Sequence, residues 1–559
     1  MAERNKSTFS GRPSGRPFCF EEYHRMSDNE YYRHGSARWS TDEEFAAAGL
    51  FTANGIHVGY SGKRRLALES DSPGLIFGGA GSGKARDWGM EAIIRMAHRP
   101  LWVLDPRGEL LATTLPAFAK ARTFVYSFNP FGLHGLANHS LNALDILQAD
   151  DVRLHADCAF ISASLIPLSG SANGQYFELR ARQWVDALLK SRVERDGHTS
   201  FPVLARQLAM IESDPVAWDS ELSAMDSSIH PDVRVAAGEI WQKQQNAPRE
   251  FGAILGTIKA HLHFLNDPTV MASLDGADFS LRDLTNAQQI TSFFALVPME
   301  YIGILSPLLR VLFTVSRLYK GRAPQAPRLT MIVDEAGQMG RFESLLQAFT
   351  FGRGEGVRTI ALFQDIGQII RNFDAATLQS FIGSAQLRTF FGVRDFETAQ
   401  LIGNMLGNAT LEFDDERQQE AARRYQNEAL QRYLNGGDEG AAFEYVHHGR
   451  AANMRSKMQR QLMTPDEILA IDEARQISFV SGLNLHPIFA EKHPYYLQCG
   501  LNGLWLPNPF HPPHDKVRLR HRLGSKWHDV ITAAVPSKLA HLPQYAGRKM
   551  RYVERYELA

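Results

Sequence analysis

The chain has 559 residues, 44% of them hydrophobic and 22% charged, which is the composition of an ordinary globular protein with room for roughly two to four domains. Its formal net charge of −1 excludes an overall basic character, and it leaves open only a local basic surface or one that forms in an oligomer. Three widely spaced cysteines, Cys19, Cys158 and Cys499, fit a reducing cytosol and argue against a disulfide framework or a zinc site.

Residues 1–50 form an N-terminal arm and a lead-in to the first domain. Residues 1–16 are polar and rich in Ser, Gly and Arg, which is typical of a disordered arm, and they lack the apolar segment of a signal peptide. The pattern over residues 42–50 predicts a short helix. No apolar run in the sequence reaches the roughly 20 residues that a membrane span needs.

A glycine-rich loop follows the first strongly apolar strand, which is predicted at residues 75–77. Its residues are Gly78, Gly79, Ala80, Gly81, Ser82, Gly83 and Lys84, and helical spacing follows over residues 88–96. Strand, loop and helix in this order are the context of a P-loop, in which backbone N–H groups and a lysine bind phosphates. Ala85 is off-pattern, because Ser or Thr at that position usually supplies a Mg²⁺ ligand. The sequence predicts a nucleotide site over residues 78–85.

Two further strands are predicted after this loop, and each ends in polar residues. The first, at residues 101–104, ends at Asp105 with Glu109 close behind, and the second, at residues 123–128, ends at Asn129. Polar residues at the carboxyl ends of such strands lie where open α/β sheets bind ligands. The alternative is that Asp105 and Glu109 only cap the next helix, and both interpretations stay open.

Residues 146–275 change to helical periodicity. Apolar residues recur there at three- and four-residue spacing, as in Phe177, Ala181, Trp184, Val185, Leu188 and Leu189. The sequence therefore predicts an all-α domain inserted into an α/β nucleotide-binding domain, whose two parts are residues 51–145 and 276–505.

The α/β pattern returns at residue 290, and a later apolar strand at residues 329–333 runs into Asp334 and Glu335. This is the Walker B pattern, in which Asp334 would hold Mg²⁺, directly or through water, and Glu335 would polarise the attacking water. Such a strand is a weak signal alone. It becomes strong together with the P-loop, because the two strands can lie side by side in one sheet.

Two more candidate site residues flank the next predicted strand, at residues 359–363. Gln364 ends it, and a polar group at the tip of the strand beside the Walker B strand can sense a γ-phosphate or orient water. Arg353 lies before it between Gly352 and Gly354, in a turn suited to an arginine finger for a neighbouring subunit's site. A solvated loop arginine is the equally weighted alternative.

The last parts of the chain carry charge and few core patterns. Residues 412–460 predict a charged helical insertion with solvated faces. Residues 506–559 are expected to be a basic C-terminal tail that touches nucleic acid or an acidic partner, or that simply aids solubility. The histidine pairs His447 with His448 and His511 with His514 lack partners at metal-ligand spacing, so we assign no metal to them.

Taken in order, these motifs resemble those of the type IV secretion system coupling proteins, the TraG-like conjugal transfer ATPases. The resemblance covers most of residues 35–500. It rests on residues 35–39, 78–84 and 105–109, Asn129 with Pro130, Asp334 and Glu335 with Gly340 and Arg341, Gly352 with Arg353, Gln364 with Gln368, residues 464–468, and Pro487 with Ile488.

This resemblance implies a RecA-like P-loop domain with an inserted all-α domain, assembled as a homo-oligomeric ring and using ATP and Mg²⁺. Its implied partners are DNA, as relaxase–DNA complexes, or secreted effector proteins, together with other type IV secretion subunits. The family usually begins with transmembrane helices, so their absence here implies a separate membrane-anchor subunit or a soluble relative. The expected location is cytoplasmic, at the inner face of the bacterial inner membrane.

Two functions follow from these residues, and a third fits poorly. The first is an ATP-driven motor with Lys84, Glu335, Gln364 and Arg353 as catalytic residues and Asp334 as the metal ligand. The alternative is a nucleotide-binding substrate receptor or adaptor with little hydrolysis, which Ala85 favours and the presence of Glu335 opposes. A small-molecule kinase fits poorly, because the helical insertion is too large for a lid.

Overall fold

The structure is a computed structural model that describes residues 34–169, 172–437 and 439–557, apart from the side chains of 172 and 173. The expected disordered arm at residues 1–16 lies outside the described residues. The chain divides into two compact units. The larger comprises Leu50–Val393, Asp472–Leu483 and Phe489–Ala559, and the smaller comprises Met1–Gly49, Arg394–Ile471 and Asn484–Ile488.

The strands are numbered here in chain order. They are β1 (Ile56–Ser61), β2 (Arg64–Leu68), β3 (Gly74–Gly78), β4 (Leu101–Asp105), β5 (Phe124–Phe128), β6 (Thr291–Leu296), β7 (Leu329–Val333), β8 (Val357–Phe363), β9 (Leu387–Phe391), β10 (Asn408–Phe413), β11 (Ser456–Gln461), β12 (Arg475–Val480), β13 (Ile488–Glu491), β14 (Lys516–His521), β15 (Gly524–Ala534) and β16 (Lys549–Val553).

The larger unit contains nearly all of an eleven-stranded sheet with the order β2-β1-β13-β12-β9-β3-β8-β7-β4-β6-β5. In this order, β9, β3, β8, β7, β4, β6 and β5 are parallel to one another. The pair of β12 with β9 and the pair of β1 with β2 are antiparallel. Strands β3, β4, β7 and β8 are buried along their whole length, as expected for parallel strands covered on both faces. The expected α/β class is confirmed.

The expectation that the P-loop strand and the Walker B strand lie side by side is wrong. Strand β8 lies between them, because Ile360 pairs with Gly74 of β3 on one edge and with Ile332 of β7 on the other. Strand order depends on which edges are free when the strands meet, and the spacing of two motifs along the chain does not determine it. The consequence is that Gln364, at the end of β8, lies between the two motifs.

The α-helices of the larger unit complete most of its remaining structure. They are Met90–Met96, Glu109–Ala121, Leu154–Leu165, Ala172–Asp196, Phe201–Ser213, Pro215–Asp226, Pro231–Asn246, Pro248–His261, Pro268–Ser273, Ile302–Arg322, Glu343–Thr350, Gly352–Glu355, Ile366–Asn372 and Ala375–Ser384.

The described residues between β5 and β6 form helices joined by turns and irregular segments, with no strand among them. Four of its helices begin with proline, at Pro215, Pro231, Pro248 and Pro268, where the missing N–H costs nothing and the fixed φ favours a helix start. Large side chains such as Trp184 form its buried interior. This matches the helical periodicity of the sequence.

The helix Ile302–Arg322 is a core helix of the larger unit. With the short turn before it, the segment Met299–Arg322 is the one described helix that is long and apolar enough to cross a membrane, and 72% of its apolar window is buried in the protein. Buried polar contacts support a core position, since the Arg310 guanidinium donates to the carbonyls of Ser164, Leu165 and Met339 at 2.6, 3.1 and 2.9 Å.

The described residues of the predicted 506–559 tail, 506–557, form a folded element, which differs from the tail that their composition suggests. Strands β14, β15 and β16 make a three-stranded antiparallel sheet. Leu539, Leu542 and Tyr545 are buried in a cluster that includes Ala119 of the helix Glu109–Ala121. The Gln544 side chain accepts a hydrogen bond from the N–H of Val125 at 3.0 Å, which covers part of the open edge of β5.

The smaller unit contains the charged region. Its helices are Asp42–Ala47, Phe396–Leu406, Glu416–Gly436, Glu439–Ala452 and Pro465–Leu469, and its strands are β10 and β11. Glu416–Gly436 and Glu439–Ala452 pack against each other as a hairpin with mostly exposed side chains. Asp415 caps the first of them by accepting a hydrogen bond from the N–H of Gln418.

Candidate functional site

The glycine-rich loop joins β3 to a helix and has a backbone that only glycine tolerates at key positions. Gly81 and Gly83 have φ of +77° and +90°, in the left-handed region. A Cβ on Gly78 would lie 2.6 Å from Oγ of Ser82 and 2.9 Å from Cβ of Phe391, so the loop is packed against the end of β9. These constraints give the loop one defined conformation.

The helix after the loop begins with a π-helical turn, Lys84–Gly89, and continues as the α-helix Met90–Met96. The Lys84 side chain is buried and its Nζ donates a hydrogen bond to the carbonyl of Gly78. Ala85 lies in the wide turn, and its carbonyl accepts the N–H of Met90. Wide π turns of this kind are frequent at functional sites.

Asp334 directly follows β7, so it lies at the same edge of the sheet as the glycine-rich loop. Desolvation and the neighbouring Glu335 carboxylate raise its pKa to about 7, while Lys84 acts in the opposite direction. The Lys84 ammonium thus favours the charged form of Asp334. The loop with Lys84 follows β3 and Asp334 follows β7, and β8 lies between these two strands.

Glu335 and Gln364 are in direct contact. Nε2 of Gln364 donates to Oε2 of Glu335 at 3.1 Å, and the backbone N–H of Gln364 donates to Oε1 of Gln368 at 3.0 Å. Glu335 has φ of +54°, a left-handed conformation that is rare for a side chain of this size and that is commonly found at functional sites. The Glu335 carboxylate is therefore held in a specific orientation.

Asp105 and Glu109 adjoin this group from the neighbouring strand β4. Asp105 is fully buried, and Oδ2 accepts the N–H of Leu111 at 2.9 Å, so it does cap the next helix. Burial, with smaller effects of Glu109 and Asp334, raises its pKa to about 8. Asp105 therefore caps the next helix and lies near the Walker B acid, and its part in binding a ligand stays a prediction.

The site has oxygen atoms to offer a hard cation. Among the described residues, Oγ of Ser82 and Oδ1 of Asp105 are buried without a hydrogen-bond partner. No group of three or more His, Cys, Asp or Glu side chains with metal-site geometry occurs in the described part of the chain. This donor set fits Mg²⁺, which is commonly bound by one or two carboxylates together with substrate phosphates and water.

Two residues from the C-terminal part of the larger unit contact this site, and neither belongs to a recognised motif. Nζ of Lys492 donates to the carbonyl of Ser82 at 2.8 Å, and Nδ2 of Asn508 donates to Oε2 of Glu109 at 2.7 Å. The sequence contained no usable signal for either, because each contact joins segments that are far apart in the chain.

Arg353 lies away from these residues. It is exposed on the short helix Gly352–Glu355, a helical turn where the sequence predicted a glycine-flanked loop. This helix precedes β8, whereas Gln364 follows β8. The seven residues of the strand, roughly 20 Å long, therefore separate Arg353 from Gln364. Arg99 and Arg358 line the same surface cavity as Arg353.

Comparison with known proteins identifies relatives for most of the chain. The model of the family "Type IV secretory system Conjugative DNA transfer" matches residues 38–435. A conjugal transfer protein TraG of Escherichia coli is 23% identical over 520 residues, covering 84% of this chain and 77% of the relative. The type IV secretion system-coupling protein VirD4 of Bartonella quintana is 22% identical over 328 residues, covering 56% of this chain and 49% of the relative.

Solved structures with the same fold are also found. The bacterial conjugative coupling protein TrwBdeltaN70, in an unbound form, gives a TM-score of 0.60 at 15% identity and covers 82% of this chain and 93% of that one. The plasmid coupling protein TrwB in complex with ADP and Mg²⁺ gives 0.57 at 15% identity and covers 80% and 91%. This likeness confirms the expected RecA-like fold with an inserted helical domain.

Proposed function

Because the chain belongs to the family of type IV secretory system conjugative DNA transfer proteins, we propose that it is the coupling ATPase of such a system. In this role it recruits DNA–relaxase complexes or effector proteins and drives their transfer by hydrolysing ATP. The observation that carries the proposal is the contact between Glu335 and Gln364 beside the glycine-rich loop, since a bare binding site has no need of an oriented carboxylate.

Each residue of the site has a role in this reaction. The loop N–H groups and Lys84 bind the phosphates of ATP, and Asp334 holds Mg²⁺. Mg²⁺ held by Asp334 would supply positive charge that offsets the phosphate charge during transfer of the terminal phosphoryl group to water. Glu335 accepts a proton from the attacking water, and Gln364 orients Glu335 and detects the γ-phosphate.

The reaction is tested by phosphate release from the full-length chain with ATP and Mg²⁺. We expect release that stops when Mg²⁺ is removed with a chelator and returns when it is restored, because Lys84 alone cannot offset the phosphate charge and the Asp334 carboxylate adds to it. Tight binding of ATP and Mg²⁺ without phosphate release would contradict the proposal and would favour a receptor that binds nucleotide without turnover.

The proposed nucleic-acid partner has a matching surface on the hairpin of β14 and β15, here called the basic hairpin. Lys516, Arg518 and Arg520 alternate with the buried Val517 and Leu519, so the three cations form an exposed row with steps of about 7 Å. No ion-pair partner of these three is found among the described residues.

An exposed aromatic ring lies on the same face of the basic hairpin. Trp527 pairs with Arg518 across the two strands, is 48% exposed, and has its ring centroid 5.5 Å from Nζ of Lys516. Asp529, opposite Lys516, is an acidic residue of this face. A row of cations beside an exposed indole is the arrangement that binds single-stranded nucleic acid through phosphates and base stacking.

Replacing Lys516, Arg518 and Arg520 together by Gln is expected to weaken binding of single-stranded DNA at least tenfold. It is also expected to lower the salt dependence of binding by about two released ions, since each phosphate contact contributes roughly 0.7. Fluorescence anisotropy at several salt concentrations measures both.

The matched control removes three exposed charges elsewhere, through Lys63→Gln, Arg206→Gln and Arg249→Gln in one chain. We expect this control to keep both the affinity and the salt dependence. Equal losses in the two triple variants would mean that net charge alone governs binding, and unchanged binding in both would remove the basic hairpin as a DNA contact.

A further inference from the structure

A second lysine, Lys492, contacts the glycine-rich loop from the segment that follows β13. Its side chain is 2% exposed, and its Nζ donates to the carbonyl of Ser82 at 2.8 Å. The ammonium is 3.9 Å from Oδ2 of Asp87 and 5.2 Å from the centroid of the Phe391 ring. The backbone N–H of Lys492 donates to the carbonyl of Ala474, which anchors the residue to the end of the sheet.

Burial at this position destabilises the charged form of the Lys492 side chain. Desolvation lowers the pKa of Lys492 below its ordinary value, and the Asp87 carboxylate opposes that shift. Asp87 is itself buried and accepts two hydrogen bonds of 2.7 Å from Arg86. A buried ammonium is tolerated only when it is paired and hydrogen-bonded, so its partners fix where it points. Here it points at one carbonyl of the loop.

The bond to Ser82 also determines the direction of the next amide. The peptide between Ser82 and Gly83 is trans, so its C=O and N–H groups point in opposite directions. With the carbonyl held toward Lys492, the N–H of Gly83 points away from it. No acceptor for this N–H is found among the described residues.

Gly83 is in the left-handed conformation, and successive N–H groups around such a residue form a concave anion site. A carbonyl free to rotate would turn the Gly83 N–H out of this arrangement. Glycine lacks the side chain that would otherwise resist such a rotation, since its backbone has the widest allowed range. An external group bonded to this carbonyl adds a further restraint on the peptide, and Lys492 makes that bond.

We propose that Lys492 is a positioning residue of the nucleotide site, which holds the Gly83 N–H toward the phosphates of ATP or ADP. The inference rests on the proposed function in that it assumes a nucleotide in the loop, but it concerns binding and not hydrolysis. Lys492 bonds to the loop and does not itself contact the nucleotide.

The test compares Lys492→Met with a matched control, Lys320→Met, in the full-length chain. Lys320 is also buried and its Nζ donates to a backbone carbonyl, that of Ala323, at 2.8 Å, but it lies on the core helix Ile302–Arg322. The measurements are the affinity for ADP with Mg²⁺ by calorimetry, the thermal unfolding temperature, and kcat and KM for ATP.

We expect Lys492→Met to weaken ADP binding by roughly tenfold to a hundredfold, the effect of losing one well-placed hydrogen bond to a charged group. KM is expected to rise with little change in kcat. Lys320→Met is expected to lower the unfolding temperature without changing ADP affinity, and Lys492→Arg to recover part of the binding because it can still donate to Ser82.

Wild-type ADP affinity in folded Lys492→Met would overturn the inference, as would equal losses of affinity in the two Met variants. If Lys492→Met does not fold, Lys492→Arg decides the matter through its own shift in KM relative to kcat, and an unchanged KM there overturns the inference. Wild-type protein that binds ADP without hydrolysing ATP would contradict the proposed turnover alone, whereas wild-type protein that binds no nucleotide would contradict both proposals.

Discussion

Replacing Glu335 by Gln is expected to lower phosphate release from ATP by roughly a hundredfold to ten-thousandfold, the range attributed to a general base. Gln has the same shape, and its amide oxygen can still accept the 3.1 Å hydrogen bond from Nε2 of Gln364. It cannot accept a proton from water. Affinity for ATP is therefore expected to stay within a few-fold of wild type, measured by equilibrium binding beside the phosphate-release assay.

The control for this variant is Glu343→Gln. Glu343 is an exposed carboxylate at the start of the helix Glu343–Thr350, shortly after Glu335 in the chain, and its replacement is expected to leave the rate unchanged. Wild-type turnover in Glu335→Gln would mean that another group accepts the proton, and Asp105, whose pKa is raised to about 8, would be the first candidate.

If Arg353 acts as an arginine finger, its replacement by Ala is expected to lower the rate of ATP hydrolysis by roughly a thousandfold or more. Arg353 lies at the opposite end of β8 from Gln364, so it cannot reach the nucleotide of its own chain. The loss must then arise in a ring, where Arg353 meets the nucleotide bound by a neighbouring subunit. Phosphate release at protein concentrations that favour assembly measures the effect.

Mixing two inactive variants separates this role from a structural one. In a mixed ring of Arg353→Ala and Lys84→Ala chains, some sites combine an intact Lys84 with an intact Arg353 from the neighbour, so activity is expected to return in part. Arg206→Ala, which removes an exposed arginine of the inserted helical domain, is expected to be fully active. Absence of recovery in the mixture, or full activity of Arg353→Ala alone, would leave Arg353 as an ordinary solvated side chain.

The parts of the site that the sequence predicts are those carried by local geometry. A strand, its polar tip and the loop after it are contiguous in the chain, so the spacing around Lys84, Asp334 and Gln364 already places each at the same edge of a parallel sheet. The expectation that the strand ending in Gln364 lies beside the Walker B strand is confirmed, whereas its position next to β3 as well is not contained in motif spacing.

The parts that the sequence did not predict depend on distant segments packing together. Lys492 looked like an ordinary residue near the end of a domain, because its partners Ser82 and Asp87 are identified only once β13 joins the sheet. The C-terminal element was misjudged for another reason. The strand Lys516–His521 has one exposed basic face. Its basic residues alternate with Val517 and Leu519, a period-two pattern that predicts a strand, but the positive charge was interpreted as that of a tail.

The position of β3 in the sheet has a consequence for the order in which the protein is made. Its two neighbours are β8 and β9, and the loop after it is held by Lys492, all of which leave the ribosome long after β3 itself. During synthesis the apolar strand therefore has both edges open, which is a state prone to mispairing. A chain that stops before these segments are made therefore cannot complete its nucleotide site.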